Sequence, residues 1–272
     1  MSVPMETVSD VTERRANPRR PELVPLRRWT RLGTFRYSGG SVYPHVHMSD
    51  PLSLVPLAIA ARGGRIDGVG VAQLVAAGVT MLQRSAPLVR ALATGRSAIL
   101  LPPSPPVLVA LAASDGRGAL VLDPDSPSAL LQEQLLQGNA GAVFTTSSLA
   151  DRVGAERVLV LLDDAPTRVV IMVRGVEVVI DVGSHFGLAL EGEQDSPGRD
   201  EEFVVFYSSD GVRATAMSHR ALLSAARGRP GTVTGDAAVP HTAMSPISTR
   251  AGLLALLAPL LAGESVQTSS TF

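Results

Sequence analysis

Two kinds of hydrophobic pattern alternate along most of this chain. Short runs in which nearly every residue is apolar predict buried strands, and longer segments with apolar residues every three or four positions predict helices. The predicted strands are 97–103, 118–124, 140–146 and 157–164, and the predicted helices are 105–114, 126–139 and a short one within 147–155. Strands that alternate with helices indicate an α/β fold, with largely parallel sheets flanked by helices.

The pattern extends on both sides of this region. A helical spacing over 71–92 is interrupted by Pro87, and 167–183 holds two strand-like runs about a possible Arg174–Gly175 turn. Further on, a strand at 203–207 leads through a Ser-Ser-Asp-Gly turn towards a helix at 218–228. The last segments are an apolar helix at 251–261 and the strand-like ESVQTSS, which we expect to leave an open sheet edge.

The first 50 residues differ from the rest of the chain. They carry an arginine cluster, ERRANPRRPELVPLRRW, with scattered prolines and no apolar period. Such a composition predicts a disordered or loosely docked leader, with a binding arm for an acidic partner as the alternative. The pattern predicts that ordered sequence begins near Met48, and residues 51–272 are expected to form the folded domain.

Composition narrows the chemistry further. The chain of 272 residues is 45% hydrophobic and has a net charge of −1, which predicts a globular protein without bulk attraction to nucleic acid or anionic lipid. It contains no cysteine, so disulfides and thiolate sites are excluded. All 24 basic residues are arginine, which fits a GC-rich bacterial gene. No apolar run reaches the roughly 20 residues of a membrane span, and we expect a cytoplasmic location.

Four stretches in order carry a family resemblance. They are LLPPSPPVLVALAA, then GALVLDPDSP with its following helix, then FVVFYSS with SHRALL, and finally SPISTRAGLLALLAPLLAG. Over roughly residues 55 to 268 the chain resembles the N-terminal half of the AMP-binding, adenylate-forming enzymes. That superfamily includes acyl-CoA synthetases, fatty-acyl-AMP ligases, peptide-synthetase adenylation domains and luciferases. The resemblance implies a ligase that uses ATP and Mg²⁺ to adenylate a carboxylic acid.

The phosphate loop of the family is degenerate in this chain. In the family, a loop rich in glycine and hydroxyl residues wraps the ATP triphosphate through backbone N–H groups, and a lysine adds positive charge. Here the loop is shorter, Asp210 stands where the first loop glycine belongs, and Arg213 lies near the lysine position. These changes argue against the retention of ATP and Mg²⁺. The corresponding nucleotide-binding residues would be Ser208, Ser209, Asp210, Gly211 and Arg213.

The second family motif is also altered. Aligned on Pro246 and Gly252, Ser248 and Thr249 replace the aromatic residue and histidine that help to form the adenylation pocket. The resemblance therefore implies a remnant of the substrate pocket at Ser248, Thr249 and Gly252. The family's later motifs, including the lid with its catalytic lysine, do not occur before Phe272. We assign no catalytic residue and no metal site.

Other polar residues have simpler interpretations. His45 and His47 have strand-like spacing without an evident third metal ligand. The Ser218–His219 pair matches the family's Ser-His pair, for which capping and packing are expected. Two acidic pairs lie at strand ends, Asp123 with Asp125 and Asp163 with Asp164. We expect these carboxylates to stabilise turns by hydrogen bonds to the backbone rather than to take part in catalysis.

Three functions stay open at this point. The chain is interpreted first as a truncated ligase-like pseudoenzyme that cannot form an acyl-adenylate alone. The alternatives are one subunit of a split ligase, completed by a partner with the missing half, and a gene remnant without function. Residues 251–272 would then offer a surface for a homo-oligomer or for the complementing half.

Overall fold

The computed structural model describes residues 54–93, 95–114, 118–154, 156–182, 202–208, 211, 213–227, 241–243 and 245–268. The predicted leader, with His45 and His47, lies outside the described residues. The helices are α1 (Val55–Ala60), α2 (Val71–Leu92), α3 (Pro106–Ala113), α4 (Ser128–Gln137), α5 (Ser147–Ala150), α6 (His219–Arg227) and α7 (Arg250–Leu261). The strands are β1 (Arg65–Ile66), β2 (Val69–Gly70), β3 (Arg96–Ile99), β4 (Ala119–Val121), β5 (Ala140–Thr145), β6 (Val158–Leu161), β7 (Arg168–Val173), β8 (Val176–Asp181), β9 (Glu202–Tyr207), β10 (Ala214–Ser218), β11 (His241–Ala243) and β12 (Val266–Thr268).

The larger sheet follows the order β10-β9-β4-β3-β5-β6-β7-β8 within the described residues. From β9 to β6 neighbouring strands run parallel, whereas β10 at one end and β7 with β8 at the other pair antiparallel. The two-residue turn between β7 and β8 has positive φ at Arg174 and Gly175, as a type I′ hairpin requires. The expected largely parallel α/β sheet is thus confirmed.

Both faces of this sheet are buried, which explains why its central strands read as unbroken apolar runs. Ile99 and Val121 face the cluster that contains helix α3. Their chain neighbours Ala98 and Leu120 point to the opposite face, where they join Leu131 of α4. Successive residues therefore bury their side chains against different helices, and neither face could carry polar residues at these positions.

A smaller sheet has the order β11-β12-β1-β2. The expectation of an open edge at ESVQTSS is wrong for 266–268, because β12 pairs with both β11 and β1. Helix α7 is likewise covered by this chain itself. Its buried residues are Gly252, Leu253, Leu254, Leu256, Leu257 and Leu260.

Two local expectations also differ from the structure. Helix α2 continues through Pro87 without a break, although a proline disfavours a helix interior, and α2 packs along α3. The packing is close enough that a Cβ on Gly78 would lie 2.5 Å from the Val109 carbonyl oxygen. The second difference is β10, which pairs with β9 where the sequence pattern indicated only a gap before α6.

Candidate functional site

The segment that corresponds to the phosphate loop connects two paired strands. Strand β9 ends at Tyr207, β10 begins at Ala214, and these two residues are register partners. The six residues between them therefore close a hairpin instead of leading directly into a helix. Of the predicted loop residues, Ser208, Gly211 and Arg213 are described, and Ser209 and Asp210 lie outside the described residues.

This hairpin loop bonds to itself. The backbone N–H of Ser208 donates to the Arg213 carbonyl at 2.8 Å, and the N–H of Gly211 donates to the Ser208 carbonyl at 2.7 Å. The Ser208 Oγ accepts the Arg213 N–H at 3.0 Å and donates to the Arg213 carbonyl at 3.2 Å. The described N–H groups of the loop are thus engaged within the turn. A phosphate cradle needs such donors directed at the ligand.

Helix α4 packs against the hairpin loop and against the end of β9. Gly211 is buried with φ +74°, and a Cβ at this position would lie 2.4 Å from Leu130 Cδ1. The Tyr207 hydroxyl donates to the Gln134 carbonyl at 2.9 Å. Burial raises the pKa of the Tyr207 phenol, and the positive charge of Arg96 offsets part of this effect. The neutral phenol is therefore the form that holds β9 to α4.

The second altered motif forms the start of helix α7. Thr249 is its N-cap: the Thr249 Oγ1 accepts the Gly252 N–H at 3.0 Å and donates to the Pro246 carbonyl at 3.1 Å. Ser248 beside it is buried. Gly252 leaves no room for a side chain, since a Cβ would lie 1.9 Å from the Pro246 carbonyl oxygen. Thr249 and Gly252 therefore form, with Pro246, the tight turn that leads into α7.

One cleft of about 390 Å³ brings the two altered motifs together. Ser208 from the hairpin loop and Thr249 from the α7 turn both line it. Of the other described motif residues, Gly211, Arg213, Ser248 and Gly252 do not line this cleft. Its lining residues are Phe206, Tyr207, Ser208, Thr215, Ala216, Met217, Ala221, Thr249 and Arg250.

The chemistry of the cleft is limited. Its described lining holds hydroxyl groups and the guanidinium of Arg250, but neither a carboxylate nor a histidine. The hydroxyls of Ser208 and Thr249 are already engaged in the loop and the helix cap. No described pair could therefore act as nucleophile and general base. The cleft can accept a small polar or anionic group beside Arg250.

Sequence reasoning missed Arg250 and the residues that β10 contributes. The sequence did carry a signal for Arg250. A cation in the first turn of a helix is repelled by the positive end of the helix dipole, so its presence there indicates a role other than stabilising the helix. No comparable signal marked β10. Only Met217 of its five residues is buried, so the strand has almost no apolar alternation.

The Ser-His pair has a structural role. Ser218 Oγ accepts the Ala221 N–H at 3.2 Å and caps α6. His219 is 1% exposed, stacks on Phe203 with ring centroids 4.3 Å apart, and accepts the Val55 N–H through Nδ1 at 3.3 Å. That N–H begins α1, which has no side-chain cap of its own. His219 therefore ties the first described helix to the strand before the hairpin loop.

The acidic pairs also hold turns. Asp123 Oδ1 accepts the Asp125 N–H at 3.0 Å, and both carboxylate oxygens of Asp163 accept the Ser147 N–H at 3.0 Å. Asp164 pairs with Arg168 at 2.6 Å. Among the residues that the structure describes, no group of three or more histidine or acidic side chains could hold a metal ion. No described helix is long and apolar enough to cross a membrane.

Comparisons with known proteins bear on the fold. No model of a protein family matches the chain, and no curated protein matches it in sequence. Among solved structures, the nonribosomal peptide synthetase FmoA3 is similar with a TM-score of 0.59 and 18% identity, covering 80% of this chain and 23% of that one. The N-terminal domain of FACL13 from Mycobacterium tuberculosis gives 0.57 and 16%, covering 80% and 57%. VinN in complex with L-aspartate gives 0.59 and 17%, covering 86% and 58%.

The matched regions are the N-terminal parts of those proteins. This chain spans between about a quarter and three fifths of their lengths. At such identities the likeness is one of fold alone. The chain has the α/β fold of the N-terminal part of adenylate-forming enzymes.

Proposed function

We propose that this chain is a ligase-like pseudoenzyme, an adenylate-forming fold that does not form an acyl-adenylate by itself. One observation carries the proposal. The backbone N–H groups of Ser208, Gly211 and Arg213 donate their hydrogen bonds to oxygens of the hairpin loop itself. A triphosphate would have to break these bonds before any of these three described N–H groups could donate to it. The cleft beside it then serves to bind a small polar or anionic group near Arg250.

The composition of the loop supports the same conclusion. Asp210 would add a carboxylate to a loop that should receive a triphosphate. Like charges about 4 Å apart repel by about 4 kcal/mol at an effective dielectric of 20. The chain contains no lysine, so Arg213 is the loop cation that could offset part of this repulsion. Arg250, which lines the cleft, is a cation that the family resemblance does not assign to phosphate.

The test is ATP–pyrophosphate exchange with a panel of fatty acids and amino acids that includes aspartate. We expect exchange no faster than in a heat-inactivated sample, because neither the cradle nor a catalytic base is formed. An active adenylate-forming enzyme assayed in parallel shows that the panel is adequate. Acid-dependent exchange above the inactivated control would refute the pseudoenzyme proposal.

A second candidate is one half of a split ligase. It is favoured by the match to the FACL13 N-terminal domain, which was crystallised as a separate unit. Under this proposal a partner that carries the remaining ligase motifs supplies catalysis in trans. Adding such a partner to the exchange assay would distinguish the two, since a pseudoenzyme stays inactive and a split subunit gains exchange.

A further inference from the structure

We draw no further inference here: the strongest candidate, the cleft of about 390 Å³ that Ser208, Thr249 and Arg250 line, belongs to the site already described.

Discussion

Replacing Gly252 with alanine is expected to lower the thermal unfolding midpoint by roughly 5–10 °C, from a loss of about 2–3 kcal/mol. The new Cβ would lie 1.9 Å from the Pro246 carbonyl oxygen and 2.7 Å from its carbon. Both are backbone atoms, so the turn before α7 has to move as a whole. That movement also separates Thr249 from the carbonyl to which its hydroxyl donates. Circular dichroism melting measures the shift.

Gly70→Ala is the matched control. No atom lies within 4 Å of the position of its Cβ, and its φ is not in the left-handed region. We expect its melting midpoint to be unchanged or slightly raised, because alanine has less backbone entropy to lose on folding. Equal midpoints for G252A and G70A would show that the turn before α7 is not closely packed.

Replacing His219 with alanine is expected to lower the free energy of unfolding by about 2–4 kcal/mol. The change removes a side chain that is 1% exposed and packs on Phe203. It also removes the acceptor for the Val55 N–H, and Val55 is fully buried. Helix α1 would then begin with a buried donor that lacks its partner. Urea denaturation followed by circular dichroism measures the loss.

His219→Asn separates the two contributions. The Asn Oδ1 stands close to the place of the imidazole Nδ1, so it can accept the Val55 N–H while filling less volume. We expect H219N to be clearly more stable than H219A. If both variants lose the same stability, the hydrogen bond to α1 contributes little and packing alone explains the effect.

The fold was largely predictable from the sequence. Apolar runs such as AILL and ALVL need burial on both faces, and the helices between them supply it. The sequence pattern failed where burial is low or local preferences conflict with packing. Strand β10 buries only Met217, and α2 continues as a helix through Pro87. The central place of β12 depends on β1, which precedes it by about 200 residues, and no local pattern encodes such a pairing.

The site was predictable only in part. Family resemblance pointed to two altered motifs, and one residue of each, Ser208 and Thr249, lines the same cleft. It could not show that the shortened loop would close on itself, because that depends on the path of the backbone between β9 and β10. Nor did it reveal that Thr249 is engaged as a helix cap. The roles of Ser209 and Asp210 stay predictions, since both lie outside the described residues.

Calorimetric titration of ATP with Mg²⁺ into the wild-type chain and into Asp210→Gly tests the central claim most directly. Because the hairpin loop engages its own N–H groups, neither chain is expected to give saturable binding. Binding gained only by D210G would mean that charge, not the closed loop, is the obstacle, and would be worth about tenfold in affinity. Saturable binding of ATP by the wild-type chain would contradict the account, since the loop would then still form a phosphate site.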